Sequence, residues 1–150
     1  VDIINAGSAI FILSMGNYAD KPATVQMLKD GQLSTIGNAT MMAYDSYKDQ
    51  LYMINAPFGG DKEYKVYNLK NGQTTTFLTN PDIFSPYSLT VNPVNGDVFI
   101  TSHTKNPDTG KADYTADCKL YRYTSAGILL GTYDCGVNPG TIVCDSYYQK

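Results

Sequence analysis

The stretch "SLTVNPVNGDVFIT", residues 88–101, lies over "MMAYDSYKDQLYMI", residues 41–54, at a constant shift of 47. Each reads as an apolar run, a turn and a second apolar run. Asn95-Gly96 supplies the turn in the later copy, because both residue types accept positive φ at little cost. Two such runs around a tight turn predict an antiparallel hairpin.

The likeness extends in both directions. Residues 1–36 match residues 42–77 at a shift of 41 without a gap, so that "AIFIL" (9–13) falls on "QLYMI" (50–54) and "VQMLKDGQ" (25–32) falls on "VYNLKNGQ" (66–73). Asp20-Lys21 falls on Asp61-Lys62 in the same frame. The third copy resumes at "KLYRYTSAG" (119–127) after an insertion of about eight residues. A fourth opens with "GTIVCDSYY" (140–148), whose Asp145-Ser146-Tyr147 echoes Asp45-Ser46-Tyr47, with Asn138 over Asn38. A period of roughly 40 to 50 residues marks a repeat architecture.

Within each copy, short apolar or alternating runs are separated by turn residues and read as four strands, A to D. In the third copy these are "SLTVN", "DVFITS", "KLYRYT" and "GILLGTY". Four antiparallel strands at this period describe a β-propeller blade, which cannot hide both faces alone and must stack on neighbours. A β-sandwich of about twelve short strands is the alternative fold, but a sandwich has no need of a repeat. The expected blades cover 1–40, 41–85 and 86–136, and 137–150 begins a shared closing blade with its innermost strand at 141–147. Propellers close with ~4 to 8 blades. Three blades and one strand are therefore expected to form part of a larger ring, completed by sequence upstream of Val1.

The chain has 150 residues, 43% hydrophobic and 17% charged, with a net charge of -3, enough material to bury a core. Its eleven basic residues are spread out and Arg122 is the sole arginine, so the footprint that a phosphate backbone requires is missing and nucleic acid is excluded as a partner class. No apolar run approaches the ~20 residues of a membrane helix. The abrupt strand-like start "VDIINAGSAIFIL" reads as a cut or processed one.

Strand alternation puts the short A–B and C–D turns on one side and the B–C and D–A connections on the other. The second set is longer: 14–23, 55–64 and 102–117 between B and C, and 33–40, 80–87 and 136–140 between D and A. Variable loops on a regular scaffold are where binding residues usually sit. These carry aromatic and amide groups, namely Asn17, Tyr18, Asn55, Phe58, Tyr64, Phe84, Tyr87, His103, Asn106 and Tyr114. Such a surface suits a flat or sugar-like ligand of low charge. For each aromatic taken singly, plugging a join between blades is the competing reading.

Catalytic and metal signals are sparse. His103 is the only histidine and Glu63 the only glutamate, so neither a two-histidine nucleophile system nor a glutamate pair is available. "NPDTGKADYTAD" clusters Asp108, Asp113 and Asp117 but lacks the alternating ligands and closing glutamate of a calcium loop. Cys118, Cys135 and Cys144 lack zinc-type spacing, and no cofactor is expected. Pairing about a Ser125-Ala126 turn brings Cys118 and Cys135 near each other but about two residues out of opposition, which favours free thiols over a disulfide. Cys144 is expected as a small core residue on an innermost strand.

"SPYSLTVNPVNGDVFIT" (85–101), "ADYTADCKLYRYTSAG" (112–127) and "GVNPGTIV" (136–143) together resemble the C-terminal blades of YncE-like β-propellers, in particular cell-surface or periplasmic lipoproteins of Bacteroidetes. The resemblance implies a ring of about seven blades, a lipoprotein signal upstream and export. It also implies capture of a small nutrient, with cobalamin as one instance, beside an outer-membrane transporter. The loop at 102–117 is longer than the family's short connection.

Three function classes follow. The preferred one is an exported, non-enzymatic propeller that binds a small nutrient or a surface protein through its long-loop face. The second is a metal-dependent, lactonase-like hydrolase, which would need Glu63, Asp45 or Asn92 on a central axis. The third is a structural surface-layer or adhesion module.

Overall fold

The computed structural model describes residues 2–17 and 19–145; Tyr18 and the end of the expected strand at 141–147 lie outside these. The described residues form twelve strands and no helix. One four-stranded sheet contains β1 (Asp2–Asn5), β2 (Ile10–Ser14), β3 (Thr24–Lys29) and β4 (Gln32–Asn38). A second contains β5 (Met41–Asp45), β6 (Gln50–Asn55), β7 (Glu63–Asn68) and β8 (Gln73–Leu78). The third contains β9 (Ser85–Val91), β10 (Val98–His103), β11 (Cys118–Tyr123) and β12 (Leu129–Cys135). In every sheet each strand pairs antiparallel with the next in sequence. The chain divides into two compact units, residues 1–79 and 80–150.

In the first unit the two sheets share an apolar core. Alternation along β2 buries Phe11 and Leu13, which join Val25, Ala39, Met42, Leu51, Met53 and Tyr67. Phe11 sits 6.1 Å from both the Tyr44 and Tyr67 ring centres. Burying a side chain of that size contributes roughly 1.5–3 kcal/mol. The run "LYMI" of β6 is buried on both faces: Leu51 and Met53 join the Phe11 cluster, while Tyr52 meets Phe77 edge-on at 4.9 Å. Outermost strands β4 and β8 are mostly polar and exposed, as unpaired edges should be.

One turn device recurs four times. Asp45, Asn68, Asn92 and Asn106 each accept backbone N–H groups on a side-chain oxygen from residues just ahead. Four positions later the chain takes positive φ, at Asp49 (54°), Gly72 (70°), Gly96 (73°) and Gly110 (70°). An Asx turn followed by a left-handed residue reverses the chain with its polar groups satisfied. "NPVNG" and "NPDTG" are thus the same turn, the first joining β9 to β10 and the second inside the long 104–117 connection.

Some expectations are corrected here. The connection expected at 33–40 is strand as far as Asn38, because a bulge opposite Val25 and Gln26 lets pairing continue. Tyr64 belongs to β7 and is buried, not displayed on a loop. Cys118 and Cys135 are directly opposed, not two residues out. The β11–β12 turn runs from Thr124 to Ile128, later than expected, and a bulge near Arg122 adds a further residue. Finally, 141–145 pairs with no other described strand, and Cys144 there is half-buried.

In the second unit Val91, Val98, Ile100, Cys118 and Tyr123 are buried within the third sheet. Arg122 lies across it, with Nη2 2.5 Å and Nε 2.8 Å from the same Asp97 oxygen and its guanidinium 5.9 Å from the Phe99 ring centre. Hydroxyl groups of this sheet hold the following segment. Ser88 and Thr101 Oγ atoms donate to the Pro139 carbonyl at 3.1 and 3.0 Å, and Thr90 donates to that of Ile142 at 3.3 Å.

Candidate functional site

Where β9 begins and β10 ends, the ladder shifts register: Ser88 faces Thr101, but Pro86 faces Ser102, leaving Tyr87 as the extra residue of a bulge. Bulges re-aim side chains beside functional sites. Here Tyr87 comes to the end of β10, its ring centre 4.4 Å from that of His103 at 60°. Tyr114, on the 104–117 connection, also approaches the imidazole, at 4.8 Å and 66°. The histidine is 3% exposed, whereas Tyr87 and Tyr114 are 43% and 59% exposed. The cluster therefore shows solvent two phenol rings over a buried imidazole.

Asn138 closes it. Its Nδ2 donates to the Tyr114 carbonyl at 3.3 Å, so Oδ1 faces the imidazole, 2.9 Å from Nε2. That arrangement places the ring proton on Nε2, which donates to Asn138. Asn138 itself takes φ 53°, which asparagine tolerates. Gly140 runs beside Tyr87, where a Cβ would lie 3.4 Å from the ring, in van der Waals contact.

The 104–117 connection is built, not slack. Lys105 bridges Ala112, the Asn106 amide donates to the Lys111 carbonyl, and Asp113 N donates to that of Thr104. Asp113 accepts from Thr115 N, Thr115 Oγ1 and Ala116 N on one oxygen and from Asn106 Nδ2 on the other. Those hydrogen bonds, with Thr115 N foremost, hold its carboxyl below the ordinary 3.8. The carboxylate that suggested calcium thus braces the loop carrying Tyr114.

Of the residues expected to bind, Tyr87, His103 and Tyr114 come together, and Asn106 supports them through Asp113. Phe84 is half-buried in the second unit. In the first unit, Asn17 braces its own loop, donating to Asp20 and accepting from Ala19 N and Lys21 N. Asn55 ends β6 half-buried, Phe58 is fully exposed and Tyr64 is buried. Asn138 was missed as a site residue; its echo of Asn38 was the sole signal.

The residues a lactonase-type centre would need have local tasks. Asp45 and Asn92 cap A–B turns, and Glu63 pairs with Lys65 at 3.0 Å. Among the described residues, no three His, Cys, Asp or Glu side chains group closely enough to suggest a metal site.

No protein-family model matches the chain. No curated protein matches it either. Solved structures do. The β-propeller domain of the trilobed protease of Pyrococcus furiosus aligns with a TM-score of 0.66 at 13% identity, over 90% of this chain and 42% of that one. A Xanthomonas campestris gluconolactonase aligns with a TM-score of 0.60 at 21% identity, over 93% and 47%. A quinoprotein alcohol dehydrogenase-like protein of Bacteroides thetaiotaomicron gives 0.55 at 16% identity, over 87% and 32%. The fold is that of a β-propeller, and its three sheets are blades. The chain spans less than half the length of each of these structures.

Proposed function

We propose that this chain is part of an exported, non-enzymatic propeller of the YncE-like surface lipoprotein type, capturing a flat nutrient of low charge, cobalamin-like, on its third blade. The supporting observation is the Tyr87–His103–Tyr114 cluster. Two partly exposed phenol rings offer the contact that a large planar ligand needs, and the neighbouring Asn138 suits a ligand rich in amides. His103 is buried with Nε2 engaged, so it serves as a strut against which the two tyrosines pack. Membership of a larger ring and a lipid anchor at an outer surface belong to the same reading.

Thermal denaturation with cyanocobalamin, haem and neutral glycans tests it. At a hundredfold excess over Kd, one-site binding stabilises by about 2.7 kcal/mol, a Tm rise of roughly 5 to 10 °C. Cyanocobalamin should give that rise, and Tyr87→Ala with Tyr114→Ala should remove it. No rise with any ligand, or an undiminished rise in the double variant, would refute the assignment. A stoichiometric divalent ion in purified protein would favour the lactonase-type reading instead.

A further inference from the structure

We infer that Cys118 and Cys135 join as a cross-strand disulfide in an oxidising compartment, stapling the two segments that meet at Asn138. The two residues are directly opposed in the β11–β12 ladder. Opposed residues have Cα atoms about 5.5 or 4.5 Å apart according to the pair type, and both separations lie within the ~4.4–6.8 Å range of disulfides. Their side chains leave the same face of the sheet. A small closing movement of the Cβ atoms suffices, because opposed Cβ atoms lie ~4.5–5.5 Å apart and bridged ones ~3.5–4.5 Å.

Their position gives the bond a consequence. Cys118 ends the connection four residues after Tyr114, and Cys135 leaves β12 three residues before Asn138. These are the segments already joined by the Asn138-to-Tyr114 hydrogen bond. The stapling role rests on the site proposed above; the bond itself does not.

Access sets the order of steps. Cys135 is half-buried on the outermost strand and Cys118 is fully buried. The Cys135 thiolate attacks a small disulfide such as glutathione disulfide, forming a mixed disulfide and releasing one glutathione thiolate. The Cys118 thiolate then attacks Cys135 Sγ and expels the second glutathione. Two protein thiols are oxidised, the oxidant disulfide is reduced to two thiols, and the two thiol protons pass to the released glutathione. Burial first, and the neighbouring Cys118 next, push the Cys135 thiol up, so the first step should quicken with rising pH.

The test equilibrates the Cys144→Ser chain with glutathione disulfide, blocks residual thiols with iodoacetamide under denaturing conditions, and maps tryptic peptides. Cleavage after Lys111, Lys119 and Arg122 separates the two cysteines. Peptide 112–119 should appear linked to peptide 123–150, with a Tm higher by roughly 5 °C or more than that of the reduced chain. Cys135→Ser should abolish both the link and the oxidant-dependent Tm rise. Alkylated or singly glutathionylated cysteines without the link, or a Tm rise that survives in Cys135→Ser, would overturn the inference. Neither readout involves a ligand, so failure of the binding assignment leaves this result interpretable.

Discussion

The second and third blades use equivalent strand positions in opposite ways. At the shift of 47, Met41, Ala43 and Ile54 correspond to Ser88, Thr90 and Thr101. In the second blade this face is apolar, with Ala43 and Ile54 buried and Tyr52 packed on Phe77. In the third blade it is hydroxylic and holds the carbonyls of Pro139 and Ile142. Apolar packing is strong and tolerant of position, whereas a hydrogen bond contributes less and fixes one atom against another. The third blade therefore gives up apolar packing, not burial, to place the segment that carries Asn138, and so to place the site.

Substitutions that attack each side should separate these roles. The largest effect belongs to the apolar core. Phe11→Ala leaves a cavity beside Tyr44 and Tyr67 and should cost about 3–5 kcal/mol, read from urea unfolding, with hydrogen exchange at 138–142 little changed. Thr101→Val keeps the shape but removes a hydroxyl that serves Pro139 and Ser88. A loss of about 1–2 kcal/mol is expected, together with faster exchange of the Gly140 and Ile142 amides. If Thr101→Val leaves that exchange untouched, the hydroxyl face has no positioning role.

A further effect is in pH. Burial, with the Asp45 charge second, pushes the Tyr52 phenol up to about 12, and burial, with the Asp49 hydrogen bond second, does the same for Tyr44. A raised phenol favours the folded state fully below the ordinary 10.0, and that advantage disappears as pH rises through about 12. Urea midpoints should fall across that window alongside tyrosinate absorbance, with a shallower slope for Tyr52→Phe. An equal slope in the variant would show that Tyr52 titrates as it does in the unfolded chain.

What the sequence made legible was periodic and local. The repeat and its Asn-Gly and Asp-Gly turns predicted four-stranded antiparallel blades, and the propeller fold follows that pattern. Tyr87, His103 and Tyr114 could be drawn out by residue type near the ends of the expected connections, although Tyr87 and His103 belong to the ends of β9 and β10 and only Tyr114 lies on a loop. Their convergence was hidden: it depends on a bulge at Tyr87 and on Asn138, which reaches a histidine 35 residues away. The cysteine register failed for a similar reason, since a displaced turn and a bulge moved the pairing by two residues. Asp113 invited a metal reading because composition shows carboxylates without showing the backbone amides that occupy them. Repetition of Asn-Pro-x-x-Gly at 92–96 and 106–110 was a usable signal that the long connection contains a tight turn.

The most direct test of the binding site is an amide and ring NMR titration of the intact chain with cyanocobalamin. Shifts concentrated at Tyr87, His103, Tyr114 and Asn138, with the Asx turns at 45–49 and 92–96 unmoved, are expected. Shifts confined to those turns, or absent from the histidine ring and both tyrosines at saturation, would contradict the account.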